Sequence, residues 1–226
     1  EIRDFRKQGY LPEAMINYLA RLGWSYDDKT EIFGREELIQ RFSLSGVNSS
    51  PARFSYERLE WMNGYYIRQL DVDDLAQRLV PFMVDAGFQV SAADLVPIVP
   101  LIQERLKTLA EVVERTDFFF QKELDYDPSL RIGKKMTAEE SWTALRRVGQ
   151  VLADLPDFEA ETTHEQMRAL AAELELKAGQ LFGIVRVAVT GKKVAPPLFE
   201  TMAILGQETS LYRIEQGIRT LSSLSV

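Results

Sequence analysis

Apolar residues recur at intervals of three and four along most of this chain, the period of a helix that buries one face. Met15, Tyr18, Leu19 and Leu22 line such a face, with Pro12 suited to a first helical position and Gly23 able to close the helix. Arg35 to Phe42 reads as a short helix. Ser55 caps a helix to about Arg68, with Leu59, Met62 and Tyr66 on one stripe. Asp71 caps the next, which carries Leu75, Leu79, Phe82, Met83 and Ala86 and stops at Gly87; Pro81 inside it predicts a kink or a break. Pro97 and Pro100 open a helix to about Arg115. Thr137 with Glu140, and Thr162 with Glu165, have the spacing of capping boxes. Further helices are expected near 163–177, 179–190, 197–205 and 208–221. Only Trp24 to Phe33 leans towards β-structure, and it is too short and polar to build a sheet. The expected fold is all-α, with at most a few short strands near 24–33.

The residue inventory excludes several chemistries. The 226 residues are 46% hydrophobic and 27% charged, an ordinary globular balance, and no apolar run is long enough to span a membrane. There is no cysteine, which removes disulfides, thiolate zinc sites and cysteine nucleophiles and agrees with a reducing compartment. The single histidine, His164, excludes a multi-histidine metal site and is the one residue a Ser-His-Asp triad could use. It is expected in the first turn of a helix, exposed. No glycine-rich phosphate loop and no Gly-x-Ser-x-Gly occurs. Asp27-Asp28, Asp73-Asp74 and Glu139-Glu140 read as cap and turn carboxylates, which helix N-termini favour. No catalytic residues and no metal ligands are expected. The chain starts at Glu1 without a signal-peptide pattern and reads as a piece of a longer polypeptide.

Net charge is −7, unevenly spread. Residues 1–71 hold 10 basic and 11 acidic side chains, 72–130 hold 5 and 11, and 131–226 hold 12 and 12. Sequence-blind coating of DNA is disfavoured, whereas a specific RNA partner needs only a local basic patch. Polar linkers at Gln69–Asp74 and Asp125–Lys135 suggest three segments, 1–70, 71–130 and 131–226.

Two arginines sit where arginine is expensive. On a wheel begun at Ile98, Arg105 lies at the edge of the stripe Ile102, Leu106, Leu109 and Val113. Arg186 is the one charge between Lys177 and Lys192, in an otherwise apolar helix. Each could pair internally or reach the rim by its stem. Each could equally serve a ligand, because a guanidinium keeps its charge and its planar fork. After Arg186 comes Val194-Ala195-Pro196-Pro197-Leu198-Phe199, a stiff apolar corner. A planar cation beside such a corner suits an unstacked nucleotide base. Trp61, Tyr65 and Tyr66 cluster with Arg58, Asn63 and Arg68, a pattern that core packing also explains.

Three stretches carry a family resemblance. Gly9-Tyr10-Leu11-Pro12-Glu13-Ala14-Met15-Ile16-Asn17-Tyr18-Leu19-Ala20-Arg21-Leu22-Gly23-Trp24 resembles the segment after the catalytic lysine loop of bacterial glutamyl-tRNA synthetases. Phe54-Ser55-Tyr56-Glu57-Arg58-Leu59-Glu60-Trp61-Met62-Asn63-Gly64-Tyr65-Tyr66-Ile67-Arg68 resembles a second segment of the same class I enzymes. The Arg186 helix ending in Thr190-Gly191, then Pro196 to Phe199 and Ile204-Leu205-Gly206, is similar to their C-terminal end. The order of the three also agrees.

The resemblance implies a parent enzyme, a glutamate–tRNA ligase, that uses ATP with magnesium to attach glutamate to its tRNA in the cytoplasm. The family's His-Ile-Gly-His-type motif and lysine loop do not occur here, so this piece is expected to be inactive alone and to need no cofactor. By resemblance, 1–70 is a stem-contact region touching the tRNA inner corner, through Arg58, Trp61, Asn63, Tyr66 and Arg68. Residues 71–130 and 131–226 are two anticodon-binding parts. Arg105 corresponds to the reader of the third anticodon base, Arg186 to the residue associated with the first, and Ala195, Pro196 and Leu198 to the corner packing on anticodon bases. Family members often carry a Thr-Pro-Gly-Leu-like corner, so Ala195 and Pro197 depart from it. The expected partner is glutamate tRNA, with no DNA, no membrane, and a monomeric state. Two other readings are a stand-alone helical interaction domain without an RNA role, and a paralogue that modifies tRNA with glutamate.

Overall fold

A computed structural model describes residues 1–27, 29–47 and 53–224. Asp28, half of one acidic pair noted above, lies outside the described residues. The fold is all-α: among the described residues there are twelve α-helices and no strand, and Trp24 and Val47 form an isolated antiparallel bridge. The β-leaning stretch therefore yields one bridge residue, with Phe33 at its far end buried beside Trp24. Chain contacts divide the molecule into two compact units, 1–114 and 115–226.

In the first unit, α1 (Ile2–Lys7), α2 (Pro12–Gly23), α3 (Arg35–Arg41) and α4 (Tyr56–Arg68) precede α5 (Val72–Asp85), α6 (Ala92–Leu95) and α7 (Val99–Ile102). Pro12 does open α2, and the Ser55 hydroxyl accepts the Arg58 N–H as the cap of α4. α2 packs on α4 through Tyr10, Tyr18, Leu59 and Met62. α5 buries Leu75, Leu79 and Met83 and packs on α6 and α7. The helix runs through Pro81 without a break. The carbonyl deprived of its donor belongs to exposed Gln77, where water can serve it.

The long helix expected from Pro97 to Arg115 does not form. α7 gives way to a 3-10 turn at Gln103–Arg105, and Leu106 is extended (φ −74, ψ 125) and fully buried. Long-range bonds hold this bend. Asn63 Nδ2 donates to the Lys107 carbonyl at 2.6 Å, and Leu109 N–H donates to the Gly9 carbonyl at 2.9 Å. Gly9 has φ +85, and a Cβ there would collide with the backbone of Leu109 and Ala110. These bonds, with Gln103 Nε2 donating to the Ile67 and Leu70 carbonyls at 3.0 and 2.8 Å, also leave no unit boundary at the Gln69–Asp74 linker. The division falls inside α8 (Glu111–Thr116).

In the second unit, α9 (Ala138–Ala153), α10 (Ala160–Glu173), α11 (Ala178–Thr190) and α12 (Leu198–Leu224) enclose one core built on Leu145, Val148, Leu152, Met167, Leu181, Val185 and Met202. Thr137 and Glu140 make the expected reciprocal capping box on α9. Thr162 and Glu165 make none. α10 starts earlier, at Ala160 behind Glu159, because Phe158 is already packed against the core. Gly206 (φ 79, ψ 162) interrupts α12, giving the two expected terminal helices across a kink. His164 is half-buried rather than exposed. Its ring lies 4.8 Å from that of Phe199 and 5.8 Å from that of Phe182.

Candidate nucleic-acid interface

The end of α11 is the best-defined surface of the second unit. Leu181, Ile184, Val185, Val187, Ala188 and Val189 are buried, and half-buried Arg186 interrupts them one turn before the helix ends. The Thr190 hydroxyl donates to the Arg186 carbonyl at 2.7 Å and accepts the Lys192 N–H at 3.1 Å. Gly191 then takes the left-handed conformation (φ 72), where a Cβ would lie 3.0 Å from the Tyr126 ring. Lys192 Nζ pairs with Asp117 at 2.7 Å, with both side chains about one quarter exposed. This pairing fixes the start of the corner.

Pro196 and Leu198 of that corner are buried, Ala195 is half-buried and Val194 is 81% exposed. α12 begins at Leu198, and its Thr201 N–H bonds the Pro197 carbonyl at 3.0 Å. A stiff apolar edge with an arginine one turn upstream therefore stands at a helix end closed by glycine. Lys192 and Lys193 sit where the α11 dipole favours cations.

The first unit treats its candidates differently. Arg105 ends the 3-10 turn and is exposed, so the wheel that placed it at the edge of an apolar stripe does not apply. Asn63 is fully buried and its amide is spent inside the unit: Oδ1 accepts the Leu11 N–H at 2.7 Å, and Nδ2 serves Lys107 and Gly9. It is a clasp and offers no group to an RNA. The Tyr66 hydroxyl is likewise held inside, 2.8 Å from both Asn17 Oδ1 and the Phe33 carbonyl. Burial, reinforced by Tyr65, pushes the Tyr66 phenol up to about 12. Asn17 in turn accepts the Phe33 N–H at 2.7 Å and donates to the Glu31 carbonyl at 2.9 Å. On the outer side of α4, Trp61 is 48% exposed, Arg58 pairs with Glu31 at 2.8 Å, and Arg68 is half-buried in the last turn. The six-residue cluster around Trp61 thus splits into a buried clasp and an outer face.

Two buried cations escaped the sequence reading. Arg213 donates to the carbonyls of Val189, Phe118 and Gln121 at 2.6–2.7 Å, and Arg131 donates through Nε to the Tyr126 hydroxyl at 2.8 Å. Burial lowers the Arg213 pKa from its ordinary value. A signal existed for Arg213: it adjoins Ile214 on the inward stripe Ser210, Ile214, Leu221, as Arg186 adjoins Val185 and Val187.

Among the described residues no cluster of three or more His, Cys, Asp or Glu could hold a metal, and no helix is long and apolar enough to cross a membrane. A cation beside a stiff apolar corner at a helix end is a candidate surface for an unstacked base, and comparison with known proteins gives the family. Residues 74–218 match the family described as anticodon binding domain, and the chain belongs to that family. Residues 1–61 match the class I tRNA synthetase (E and Q) catalytic domain family. A glutamate–tRNA ligase of Dehalococcoides mccartyi strain CBDB1 is 48% identical over 226 residues, covering 98% of this chain and 46% of the relative. One from Roseiflexus castenholzii is 48% identical over 225 residues, covering 97% of this chain and 44% of the relative. The crystal structure of a glutamate tRNA ligase from Elizabethkingia meningosepticum in complex with its amino acid superposes with a TM-score of 0.84 at 29% identity, over 96% of this chain and 43% of that one. The chain therefore spans less than half the length of these relatives.

Proposed function

We propose that this chain is the tRNA-binding, anticodon-recognising part of a glutamate–tRNA ligase, whose full-length form attaches glutamate to glutamate tRNA with ATP and magnesium in the cytoplasm. The observation that carries the reading is the end of α11, where Arg186 precedes a glycine-closed turn into the apolar Ala195–Leu198 corner. A guanidinium fork reads a base edge, and the corner covers a base face. Arg105, exposed at its 3-10 turn, is proposed to read the third anticodon base. Trp61, Arg58 and Arg68 are proposed to face the tRNA inner corner. Asn63 and the Tyr66 hydroxyl act instead as internal struts. The roles of 1–70, 71–130 and 131–226 as stem-contact and two anticodon-binding parts belong to the same proposal. Without the two ATP-site motifs, the chain alone catalyses no activation of glutamate.

The test is a titration of the chain with glutamate tRNA and with an unrelated tRNA across salt concentrations. Preferential binding to glutamate tRNA that weakens with a shallow salt slope is expected, because few cations are available for phosphate contacts in the acidic 72–130 segment. Equal binding to both tRNAs would refute an anticodon reader.

A further inference from the structure

Arg131 and Arg213 belong to a feature that the anticodon corner does not use. They are 8% and 3% exposed. Both line a cavity of about 190 Å3 in the second unit, together with Lys122, Tyr126 and Glu123. That is several times the roughly 30 Å3 that a water molecule occupies.

The two arginines are not equivalent. Arg213 is spent on three backbone carbonyls, and its Nε is sealed from solvent without a partner. It is a fixed positive charge behind the cavity wall, and no carboxylate of the described residues pairs with it. The Arg131 guanidinium lies 4.3 Å above the Tyr126 ring centroid while its Nε donates to the Tyr126 hydroxyl. Its two terminal nitrogens, with four N–H groups between them, make no hydrogen bond to the described protein, yet they are not sealed off as the Arg213 Nε is. The Tyr126 hydroxyl, accepting from Arg131, retains its own hydrogen to donate. Burial raises the Tyr126 phenol and outweighs the opposing pull of Arg131 and Arg213, so it stays protonated. Exposed Lys122 stands on the lining. Against these three cations the cavity carries one carboxylate, Glu123, which the Tyr212 hydroxyl approaches at 3.5 Å.

A largely buried cation with open donors, backed by a second cation, favours an anion in the shared space over water alone. We propose that this cavity is an anion site for one phosphate group, held by the terminal nitrogens of Arg131, the Tyr126 hydroxyl and Lys122, with Arg213 supplying fixed charge. The planar fork and the surplus of cations suit a tetrahedral, multiply charged oxyanion. The phosphate can come from the backbone of a bound RNA or from free phosphate, and the chemistry is shared.

The test is calorimetric titration of the whole chain with inorganic phosphate, using chloride at matched ionic strength as control. Saturable phosphate binding is expected, weakened about tenfold or more in Arg131→Gln and several-fold in Lys122→Gln. Lys122 is exposed, so its variant folds even if Arg131→Gln does not. Phosphate indistinguishable from chloride, or undiminished binding in Lys122→Gln, overturns the site. Competition between phosphate and glutamate tRNA in the unaltered chain, absent in Lys122→Gln, identifies a backbone phosphate as the occupant. Phosphate binding without competition identifies a free anion. No RNA enters the phosphate titration, so its outcome is independent of the anticodon reading.

Discussion

The Asn63 side-chain oxygen accepts the Leu11 N–H at 2.7 Å across 52 positions of sequence, directly before Pro12 opens α2. The same amide, through Nδ2, holds the Lys107 carbonyl. One buried side chain therefore joins α2, α4 and the bend after Arg105. Asn63→Ala leaves buried backbone groups unpaired and is expected to cost about 2–3 kcal/mol. Urea denaturation followed by tryptophan fluorescence measures this. A change below about 0.5 kcal/mol, the ordinary range for surface substitutions, would show that the clasp does not hold the unit together.

Tyr66 predicts a pH effect with a definite sign. Its folded pKa, about 12, lies above the ordinary phenol value of 10.0. The neutral phenol thus contributes stability that is complete below pH 10 and lost as pH rises towards 12. Tyr66→Phe removes the hydrogen bond, so the variant is expected to be less stable near pH 8 by about 1 kcal/mol. The gap should close between pH 10 and 12, because only the unaltered chain acquires a phenolate facing two carbonyl oxygens. A gap constant across that window would contradict the assignment.

Arg186 separates recognition from architecture. If it reads a base edge, Arg186→Lys weakens glutamate tRNA binding nearly as much as Arg186→Ala, since an ammonium lacks the planar fork. Melting curves of both variants should stay near that of the unaltered chain. Lost stability in step with lost binding would make Arg186 a structural residue, and retained affinity in a folded Arg186→Ala chain would remove it from the interface.

If Arg105 reads the third anticodon base as proposed, it bears on discrimination between tRNAs. The third anticodon base is C in glutamate tRNA and G in glutamine tRNA. Cytosine presents acceptors at O2 and N3 to a guanidinium, whereas guanine presents donors at N1 and N2 and leaves groups unpaired. Because Arg105 is exposed, water relieves part of that mismatch, and preference for C of about tenfold is expected, near the low end of the 1–3 kcal/mol such unpaired groups cost. Arg105→Gln should relax it, since an amide offers both a donor and an acceptor. Paired titrations with glutamate tRNA and its C-to-G variant decide the matter; full preference retained in the variant would exclude Arg105.

Many helix ends were legible where short-range chemistry settles them, though not at Thr162–Glu165, where packing of Phe158 lets α10 start earlier. Pro12, Ser55, the Thr137–Glu140 box, the Gly87 and Gly191 stops and the interruption at Gly206 all act within one turn, so their patterns survive in the bare sequence. Arg186 was legible for the same reason, as one charge in an apolar period. What the period could not show is where distant segments bond. Residues 98–113 carry a helical pattern, yet Leu106 is extended because Asn63 and Gly9 claim the backbone at Lys107 and Leu109. Tertiary bonds also turned Asn63 and the Tyr66 hydroxyl inward and exposed Arg105. Arg213 reaches the Phe118 carbonyl from 95 positions away, and Arg131 meets Arg213 only at a cavity that folding creates. Capping and periodicity are local free-energy preferences written in consecutive residues. The pairing of a buried polar group depends on which remote donor or acceptor the packed chain delivers, and only the folded structure decides that.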